Sequence, residues 1–390
     1  MAETRGKVGG DAHYLDNTAN YVGQDSPKST DYRKARWAMR TVLWDVTSIR
    51  RVESCGRWAV TASGFVDVRK KEVAGYAGLA SCGSVHVCPV CNAKIMATRR
   101  IEVGVMISAF PSAAFGAYTL RHTATDSLKD LLAARTKLWQ RVAQNRAVKE
   151  ARKDLGVAGI IRGSEVTYGN HGWHPHIHPV FVFDREVSPV YVQQLHGVQQ
   201  TAWISAARNL GLNAPMTAAQ QLGLVYDSAD INRYLTKTTF NATEAVSWEV
   251  TSSQTKSSRR AGGRTQWEIL NDVRGGCADS LDLWHEYEQA TKGTRVLTTS
   301  PGLRKKAGLD MERTDEEIAA AEIGTEADTI FTILDWAPFR ENPRWGAELL
   351  TVIEKQGTVA GIQWCLDRGI PIEDPDPVGK RASLRVEEEK

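Results

Sequence analysis

The sequence predicts an α+β protein in which a central antiparallel sheet is flanked by helices. Short strand-like runs alternate with helical patterns along most of the chain, and two of the longest apolar runs are joined by the turn-forming residues "GNHG" (169–172). Strands that follow each other across such a short turn pair antiparallel. Strands and helices mixed in this way are typical of an α+β domain.

The elements can be placed in order. The run "AFGAYTLRHTA" (114–124) begins as a strand, and from residue 125 apolar side chains recur at helical spacing. Residues 157–168 and the run that follows "GNHG" predict the two strands of a hairpin. The pattern then predicts a helix over 188–210, a strand over 222–227 and a helix over 228–240.

Length and charge limit the function classes. At 390 residues the chain can form two or three units. No apolar run approaches the roughly 18 residues of a membrane helix, and the N-terminus has no apolar signal core, so we expect a cytoplasmic protein without a membrane partner. Residues 311–390 hold 9 basic and 18 acidic side chains, against 49 and 46 in the whole chain, which leaves residues 1–310 at +12. A basic body with an acidic tail favours a polyanionic partner, although ordinary surface charge is the competing interpretation.

Composition divides the chain into six segments. The sequence predicts a polar, partly disordered N-terminal segment (1–48), a cysteine-rich subdomain (49–110), a domain of mixed strands and helices (111–250), a basic linker (251–264), an accessory ordered segment (265–310) and an acidic helical C-terminal region (311–390).

The stretch "HPHIHPVFVF" (174–183) places three histidines at alternate positions ahead of an apolar run. Alternate residues of a strand share a face, so His174, His176 and His178 are expected together. If the turn is centred within "GNHG", Glu165 lies opposite His176. Two imidazoles and one carboxylate can bind a catalytic ion with open coordination positions; Mg²⁺ or Mn²⁺ suits this set, with Zn²⁺ as an alternative. The competing interpretation is three surface histidines.

The run "YDSADINRYLTKTTF" (226–240) spaces Asp230, Tyr234 and Lys237 at i, i+4 and i+7, one face of a helix. A tyrosine hydroxyl becomes a useful nucleophile beside a cation, Lys237 can supply charge near a phosphate, and Asp230 can activate a water. Each residue also has an ordinary explanation: a core tyrosine, a helix-capping acid and a solvated lysine.

The segment "CGSVHVCPVC" (82–91) predicts a structural zinc site. Its knuckle supplies Cys88 and Cys91, Cys82 is the third ligand, and Cys55 is preferred over His86 as the fourth. A closed set of four ligands rigidifies a loop-rich subdomain, whereas buried free thiols or a redox pair are the alternatives. Basic residues beside the cysteines and in "TLRH" are candidate DNA contacts: Lys94, Arg99, Arg100 and Arg121.

Together these motifs resemble those of HUH endonucleases. The matching stretches are "TLRH" (119–122), "WHPHIHPVFVF" (173–183) and "YLTK" (234–237), with "CGSVHVCPVCNAKI" (82–95), "EVT" (165–167), "LWHEYEQATKGTRVL" (283–297) and "SPGLRKK" (300–306) as further similarities. More narrowly, the sequence is similar to rolling-circle plasmid replication initiators (Rep proteins) of actinobacterial and related Gram-positive type. The resemblance covers roughly residues 50–310 in consistent order.

The resemblance implies that residues 111–250 form the HUH nuclease domain, with a sheet of the RRM or ferredoxin-like kind. A zinc-binding subdomain precedes this domain, and the acidic tail follows it. The resemblance also implies a nickase for single-stranded origin DNA in which His176 and His178 hold the divalent ion and Tyr234 attacks the scissile phosphate. Asp230 takes the place of the acid that directs water at termination, and His174 is expected beside the metal. The implied partners are plasmid origin DNA, host helicase and DNA polymerase.

Three other functions compete with the nickase. A zinc-stabilised DNA-binding regulator explains the cysteines but leaves the histidine strand and the tyrosine helix as coincidence. A metallohydrolase for small substrates leaves the tyrosine helix and the charge distribution unexplained. A mobilisation relaxase or transposase of the same superfamily fits less well with a single tyrosine and the cysteine segment.

Overall fold

The computed structural model describes residues 27–225, 264–321 and 328–373. The chain divides into two compact units. Of the described residues, the larger unit comprises 35–55, 81–225 and 264–320, and the smaller unit comprises 27–34, 56–80, 321 and 328–373. Residues 49–110, predicted as one subdomain, therefore contribute to both units.

The regular elements follow one another along the chain. The first half contains α1 (Pro27–Val46), α2 (Arg50–Glu53), β1 (Val66–Lys70), β2 (Ala74–Ala77), α3 (Pro89–Ser108), β3 (Ser112–Thr119), α4 (Leu128–Gln144), α5 (Arg146–Asp154), β4 (Val157–Gly169) and β5 (Gly172–Phe183). The second half contains α6 (Pro189–Asn209), a 3-10 turn (Thr217–Ala219), β6 (Gln221–Leu224), α7 (Gln266–Arg274), α8 (Ala278–Thr291), β7 (Leu297–Thr299), α9 (Leu303–Lys306), α10 (Asp315–Ala320), β8 (Asp328–Ile333), α11 (Ala337–Glu341), α12 (Trp345–Gln356), α13 (Thr358–Leu366) and β9 (Ile372–Glu373).

The larger unit is built on a five-stranded sheet in the order β6-β3-β5-β4-β7. Every neighbouring pair in this sheet is antiparallel. The predicted α+β class with a central antiparallel sheet is thus confirmed. The short strand β7, from the segment expected to be accessory, extends the sheet at β4.

One face of this sheet buries an apolar cluster next to the histidines. Its members come from α3, β3, β4, β5 and α9: Val103, Met106, Ile107, Ala113, Ile161, Val180, Val182 and Leu303. Gly159 allows α9 to approach closely, because a Cβ there would lie 2.7 Å from a methyl group of Leu303. Alternation along β5 places His176 and His178 on the same face as Val180 and Val182. The apolar cluster therefore anchors the strand on which the histidines stand.

The opposite face packs against α4, α5 and α6. Tyr118 of β3 lies 5.4 Å from Trp203 of α6, and Trp203 lies 6.4 Å from Trp139 of α4. The Trp203 indole donates to the Thr119 carbonyl. These large buried side chains fix the helices on the strands, so the sheet presents its histidines from a rigid support.

The smaller unit contains a four-stranded antiparallel sheet in the order β2-β1-β8-β9. Aromatic side chains from β2, α11, α12 and α13 pack together there: Tyr76, Trp336, Phe339, Trp345 and Trp364. The acidic C-terminal region, expected to be helical, thus contains strands β8 and β9 as well as helices.

Two other expectations can be compared with the structure. Residues 27–46, predicted within a polar N-terminal segment, form α1, in which Met39 and Leu43 are fully buried. Within the ranges that the structure describes, no helix is long and apolar enough to cross a membrane.

Candidate functional site

The β4–β5 hairpin sets the geometry of the histidine strand. Gly169 pairs with Gly172, so the turn consists of two residues, as the sequence predicts. Gly172 adopts a φ of 80°, and a Cβ at this position would lie 2.9 Å from the Cα of Ala124. This turn fixes the register from Gly169 back to Gly159, where it shifts by one residue, and Glu165 pairs with His176. The predicted register is confirmed.

Glu165, His176 and His178 converge on one face of the hairpin. The Glu165 Oε2 atom lies 3.2 Å from Nε2 of His176 and 2.9 Å from Nε2 of His178. Ligand atoms of the three residues lie within 4.8 Å of one another. His178 is buried, and the other two side chains are half-buried. The three residues form a compact donor set in which Glu165 and His176 remain partly exposed to solvent.

Both ring nitrogens of His178 have a polar neighbour. Its Nδ1 atom lies 3.3 Å from the Gly116 carbonyl oxygen. A carbonyl oxygen only accepts, so Nδ1 carries the proton of this bond. His178 Nε2 lies 2.9 Å from Glu165 Oε2. With its other nitrogen held by a backbone carbonyl, the imidazole has the arrangement usual for a histidine that binds a metal ion through Nε2.

His176 presents its Nε2 atom to the same carboxylate oxygen. Its Nδ1 atom is buried without a hydrogen-bond partner among the described residues, while its Nε2 atom faces Glu165. The ring is positioned from its backbone, because Arg135 donates to the His176 carbonyl over 3.1 Å. A carboxylate oxygen and two imidazole nitrogens are the donor types that Mg²⁺, Mn²⁺ or Zn²⁺ accept. The residues present thus fit a divalent ion.

The electrostatics of the set keep Glu165 ionised. Burial alone raises the pKa of Glu165, but hydrogen bonds and charge interactions with His176 and His178 outweigh it and hold the pKa well below its usual range. Burial, followed by the charges of His176 and His122, lowers the pKa of His174 to about 4. The carboxylate is therefore available as a charged ligand at neutral pH, and His174 is neutral.

His122 is a site neighbour that sequence reasoning missed. Its Nε2 atom lies 2.6 Å from Nδ1 of His174, and its Nδ1 atom lies 2.9 Å from the His171 carbonyl oxygen. The His174 ring is itself 4.7 Å from the His176 ring. His122 thus orients the predicted neighbour of the metal set. The motif "TLRH" contains this histidine, although the sequence analysis names only Arg121 from it, as a candidate DNA contact.

The four predicted zinc ligands form a second, separate donor set. Cys55, Cys82, Cys88 and Cys91 are all buried and free of disulfides. The Sγ atom of Cys55 lies 3.7 Å from those of Cys88 and Cys91, and the Sγ atoms of Cys82 and Cys91 are 3.6 Å apart. Sulfur ligands 2.3 Å from a tetrahedral zinc ion are about 3.8 Å apart. The cluster therefore has the size of a closed zinc site.

The surroundings of the cysteines agree with a structural ion. The Ser84 N–H donates to Cys82 Sγ over 3.4 Å. Hydrogen bonds from the neighbouring thiols, first from Cys55, lower the pKa of Cys91. A hydrogen bond with Cys55 raises the pKa of Cys82, and burial raises that of Cys88. His86, the alternative fourth ligand, is instead hydrogen-bonded through Nε2 to Thr294 at 3.0 Å. The structure thus brings Cys55, and not His86, into the set of four.

The predicted DNA contacts lie in different environments. Arg99 is buried and forms ion pairs with Glu102 and Asp315, both at 2.9 Å. Lys94 contacts the Ala319 carbonyl at 3.4 Å. Arg100 is half-buried, and Arg121, next to His122, is exposed. Asp230, Tyr234 and Lys237 lie outside the described residues, as does the basic linker up to residue 263.

Comparisons with known proteins identify relatives in Streptomyces. A Streptomyces lividans protein named "Protein rep" is 27% identical over 318 residues, which cover 64% of this chain and 69% of that protein. A Streptomyces cyanogenus protein named "Neomycin resistance protein" is 32% identical over 132 residues, 26% of this chain and 30% of that protein. The similarity to a Rep protein confirms the resemblance that the sequence motifs indicate. No family model matches the chain, and no solved structure matches it significantly.

Proposed function

We propose that this protein initiates rolling-circle replication of a plasmid by nicking single-stranded origin DNA through a 5′-phosphotyrosine intermediate. The observation that carries the proposal is the convergence of Glu165, His176 and His178 on one hairpin. A surface strand has no need of two imidazoles around one carboxylate, whereas phosphoryl transfer needs a held cation. The similarity to a Rep protein supports the same function. We further propose that the antiparallel sheet is that of the HUH endonucleases.

Glu165, His176 and His178 would hold the divalent ion, with His174 and His122 positioned behind them. When bound, Mg²⁺ or Mn²⁺ would withdraw charge from the scissile phosphate and orient it. The protein supplies the orientation of the ligands. His178 is fixed by the Gly116 carbonyl, and its ring stacks on Phe115 at a centroid distance of 5.7 Å.

Tyr234 is the proposed nucleophile. Its hydroxyl oxygen attacks phosphorus, the bond from phosphorus to the 3′ oxygen breaks, and the proton lost by the tyrosine balances the proton gained by the 3′-hydroxyl. The phosphodiester energy is kept in the tyrosyl ester, and the free 3′-hydroxyl can prime synthesis. Lys237 would supply positive charge beside the phosphate or the developing phenolate.

Asp230 is the proposed residue for termination. After one round the regenerated origin has to be cut again, while Tyr234 is already esterified. A water activated by Asp230 can make this second cut, and the released 3′-hydroxyl then displaces Tyr234 and closes a circle. One tyrosine with a neighbouring acid therefore suits an initiator that acts once at each origin.

The cysteine cluster has a structural part in this proposal. A zinc ion held by Cys55, Cys82, Cys88 and Cys91 would tie α2, the loop before α3 and the start of α3 together. The basic body at +12 would bind the DNA backbone. We place the protein in the cytoplasm with host helicase and DNA polymerase as partners, because the 3′-hydroxyl needs both.

The test is a search for the covalent intermediate. The protein is incubated with Mn²⁺ and labelled single-stranded origin DNA and then run on a denaturing gel. Label should stay on the wild-type protein and on Tyr191→Phe, which removes an exposed hydroxyl, but not on Tyr234→Phe. If wild type binds the DNA without retaining label, the nickase is refuted, and a zinc-stabilised DNA-binding regulator becomes the better account of the cysteine cluster.

A further inference from the structure

Three arginines meet on the sheet face opposite the metal set. Arg135 comes from α4, Arg152 from α5 and Arg162 from β4. The guanidinium carbons of Arg152 and Arg162 lie 5.7 Å and 5.2 Å from the centre of the Trp139 ring. Arg152 also lies 5.6 Å from the Phe181 ring. The cluster thus occupies the layer between the sheet and its helices.

These arginines have no acidic partner in the part of the chain that the structure describes. Arg135 donates to the His176 carbonyl over 3.1 Å, and Arg152 donates to Gln199 Oε1 over 2.5 Å. Both acceptors are neutral. Other buried or half-buried arginines of the larger unit, such as Arg99 and Arg304, pair with Glu102. The three positive charges of this layer therefore have no counter-charge among the described residues.

Two buried donors in the same place lack acceptors. The Nε atom of Arg152 and the Nε2 atom of Gln199 have no hydrogen-bond partner among the described residues. Gln199 is only 1% exposed, and its Oε1 atom is already used by Arg152. Guanidinium groups and an amide nitrogen can only donate. What this cluster lacks is an acceptor that carries negative charge.

Burial makes this lack costly. Arg135 is only 8% exposed. Burial also lowers the pKa of Arg152 to about 10. The stacking of Arg152 and Arg162 on Trp139 offsets only part of the free energy that is lost when a guanidinium group is removed from water.

We propose that Arg135, Arg152, Arg162 and Gln199 form a binding site for a phosphate group. Several guanidinium groups together can surround a tetrahedral anion, and guanidinium forks match phosphate oxygens in pairs. Arg152 and Arg162 are half-buried, so part of each side chain is in contact with solvent. The site is distinct from the metal set, because Arg162 and Glu165 point to opposite faces of β4. The inference goes beyond the proposed nicking and stands without it.

Binding of inorganic phosphate to the full-length protein tests the site. Titration calorimetry is run in chloride buffer, and the melting temperature is compared in phosphate and chloride at equal ionic strength. Wild type should bind phosphate and melt at a higher temperature in it. Arg152→Gln and Arg162→Gln should bind roughly 10- to 100-fold more weakly, because each loses charged hydrogen bonds. The matched control is Arg146→Gln, on the exposed start of α5, and it should bind as wild type does.

Two results would overturn the site: wild type that binds no phosphate, or the Arg152 and Arg162 variants binding as tightly as wild type. Circular dichroism shows whether each variant is folded. If a glutamine variant does not fold, Arg162→Lys replaces it in the test. Lysine keeps the positive charge but lacks the paired N–H groups of a guanidinium, so this variant should bind phosphate with an affinity between those of wild type and Arg162→Gln.

A further arm identifies the source of the phosphate. A single-stranded oligonucleotide without terminal phosphates is added to the phosphate-saturated protein. Displacement of the phosphate assigns the site to a DNA backbone phosphate. Retention of phosphate while the DNA binds assigns it to a free phosphate or a nucleotide.

Discussion

Replacing Glu165 by glutamine should remove most of the stabilisation that Mn²⁺ gives this protein. The Glu165 Oε2 atom contacts Nε2 of both His176 and His178, and Glu165 is the anionic member of the three. Glutamine keeps the shape and one neutral oxygen but removes the charge. Losing one anionic ligand costs about 3 kcal/mol, which weakens binding of the ion roughly 100-fold.

This loss can be converted into a melting temperature. At a Mn²⁺ concentration 100 times the wild-type dissociation constant, binding stabilises the native state by about 2.7 kcal/mol. For a unit of this size that raises the melting temperature by about 5–10 °C. At the same concentration a variant that binds 100-fold more weakly gains about 0.4 kcal/mol, or about 1 °C.

Differential scanning fluorimetry with and without Mn²⁺ measures both shifts. Glu186→Gln is the matched control: it makes the same chemical change at an exposed residue whose carboxylate accepts a hydrogen bond from Ser112, and it should keep the wild-type shift. An equal Mn²⁺ shift in Glu165→Gln and wild type would refute the carboxylate as a ligand. No shift in any of the proteins would refute Mn²⁺ binding at the hairpin.

Three further changes test the support of the two metal sets. Cys55→Ser should contain about one equivalent less zinc by elemental analysis, and its unfolding free energy should fall by more than about 4 kcal/mol. The control Cys277→Ser, at an exposed thiol, should keep the zinc content and the stability of wild type. Equal zinc contents in the two variants would contradict the four-cysteine set. Gly172→Ala should lower the unfolding free energy, measured in urea, more than Gly211→Ala does. Both glycines have a positive φ, which costs alanine about 1–2 kcal/mol, but only at Gly172 would the added Cβ also clash with a neighbour. Equal losses would argue against the tight turn. Leu303→Ala should lower the unfolding free energy by about 2–5 kcal/mol, because this fully buried side chain packs in the apolar cluster beside the histidines; a loss below 1 kcal/mol would show that α9 does not anchor the sheet.

Local sequence patterns were enough to predict much of the candidate site. The turn residues of "GNHG" and the alternation of histidines gave both the pairing of Glu165 with His176 and the shared face of the three histidines. The spacing Cys-x-x-Cys predicted two of the four clustered thiols, and Cys82 and Cys55 were the expected third and fourth ligands of zinc. These predictions hold because they depend on geometry within a few residues of a turn or a knuckle.

Contacts between distant segments were beyond such patterns. His122 of "TLRH" reaches His174, more than 50 residues further on, and β7 joins the sheet beside β4. No periodic pattern in the sequence marks either contact. The entropic cost of closing a long loop changes little with its length, so the sequence does not show which distant segments meet. The same is true of α1, where a polar composition concealed the buried Met39 and Leu43.

The sequence by itself determined the α+β class, the hairpin register and the two sets of metal-binding residue types, since period, turn chemistry and ligand spacing are local properties of the chain. Only the tertiary structure decided that Cys55 rather than His86 completes the thiol set, that His122 supports the histidines, and that Arg135, Arg152 and Arg162 share one layer. Each of these depends on which side chains packing brings together across the sheet, where burial and charge, rather than sequence spacing, determine the contacts.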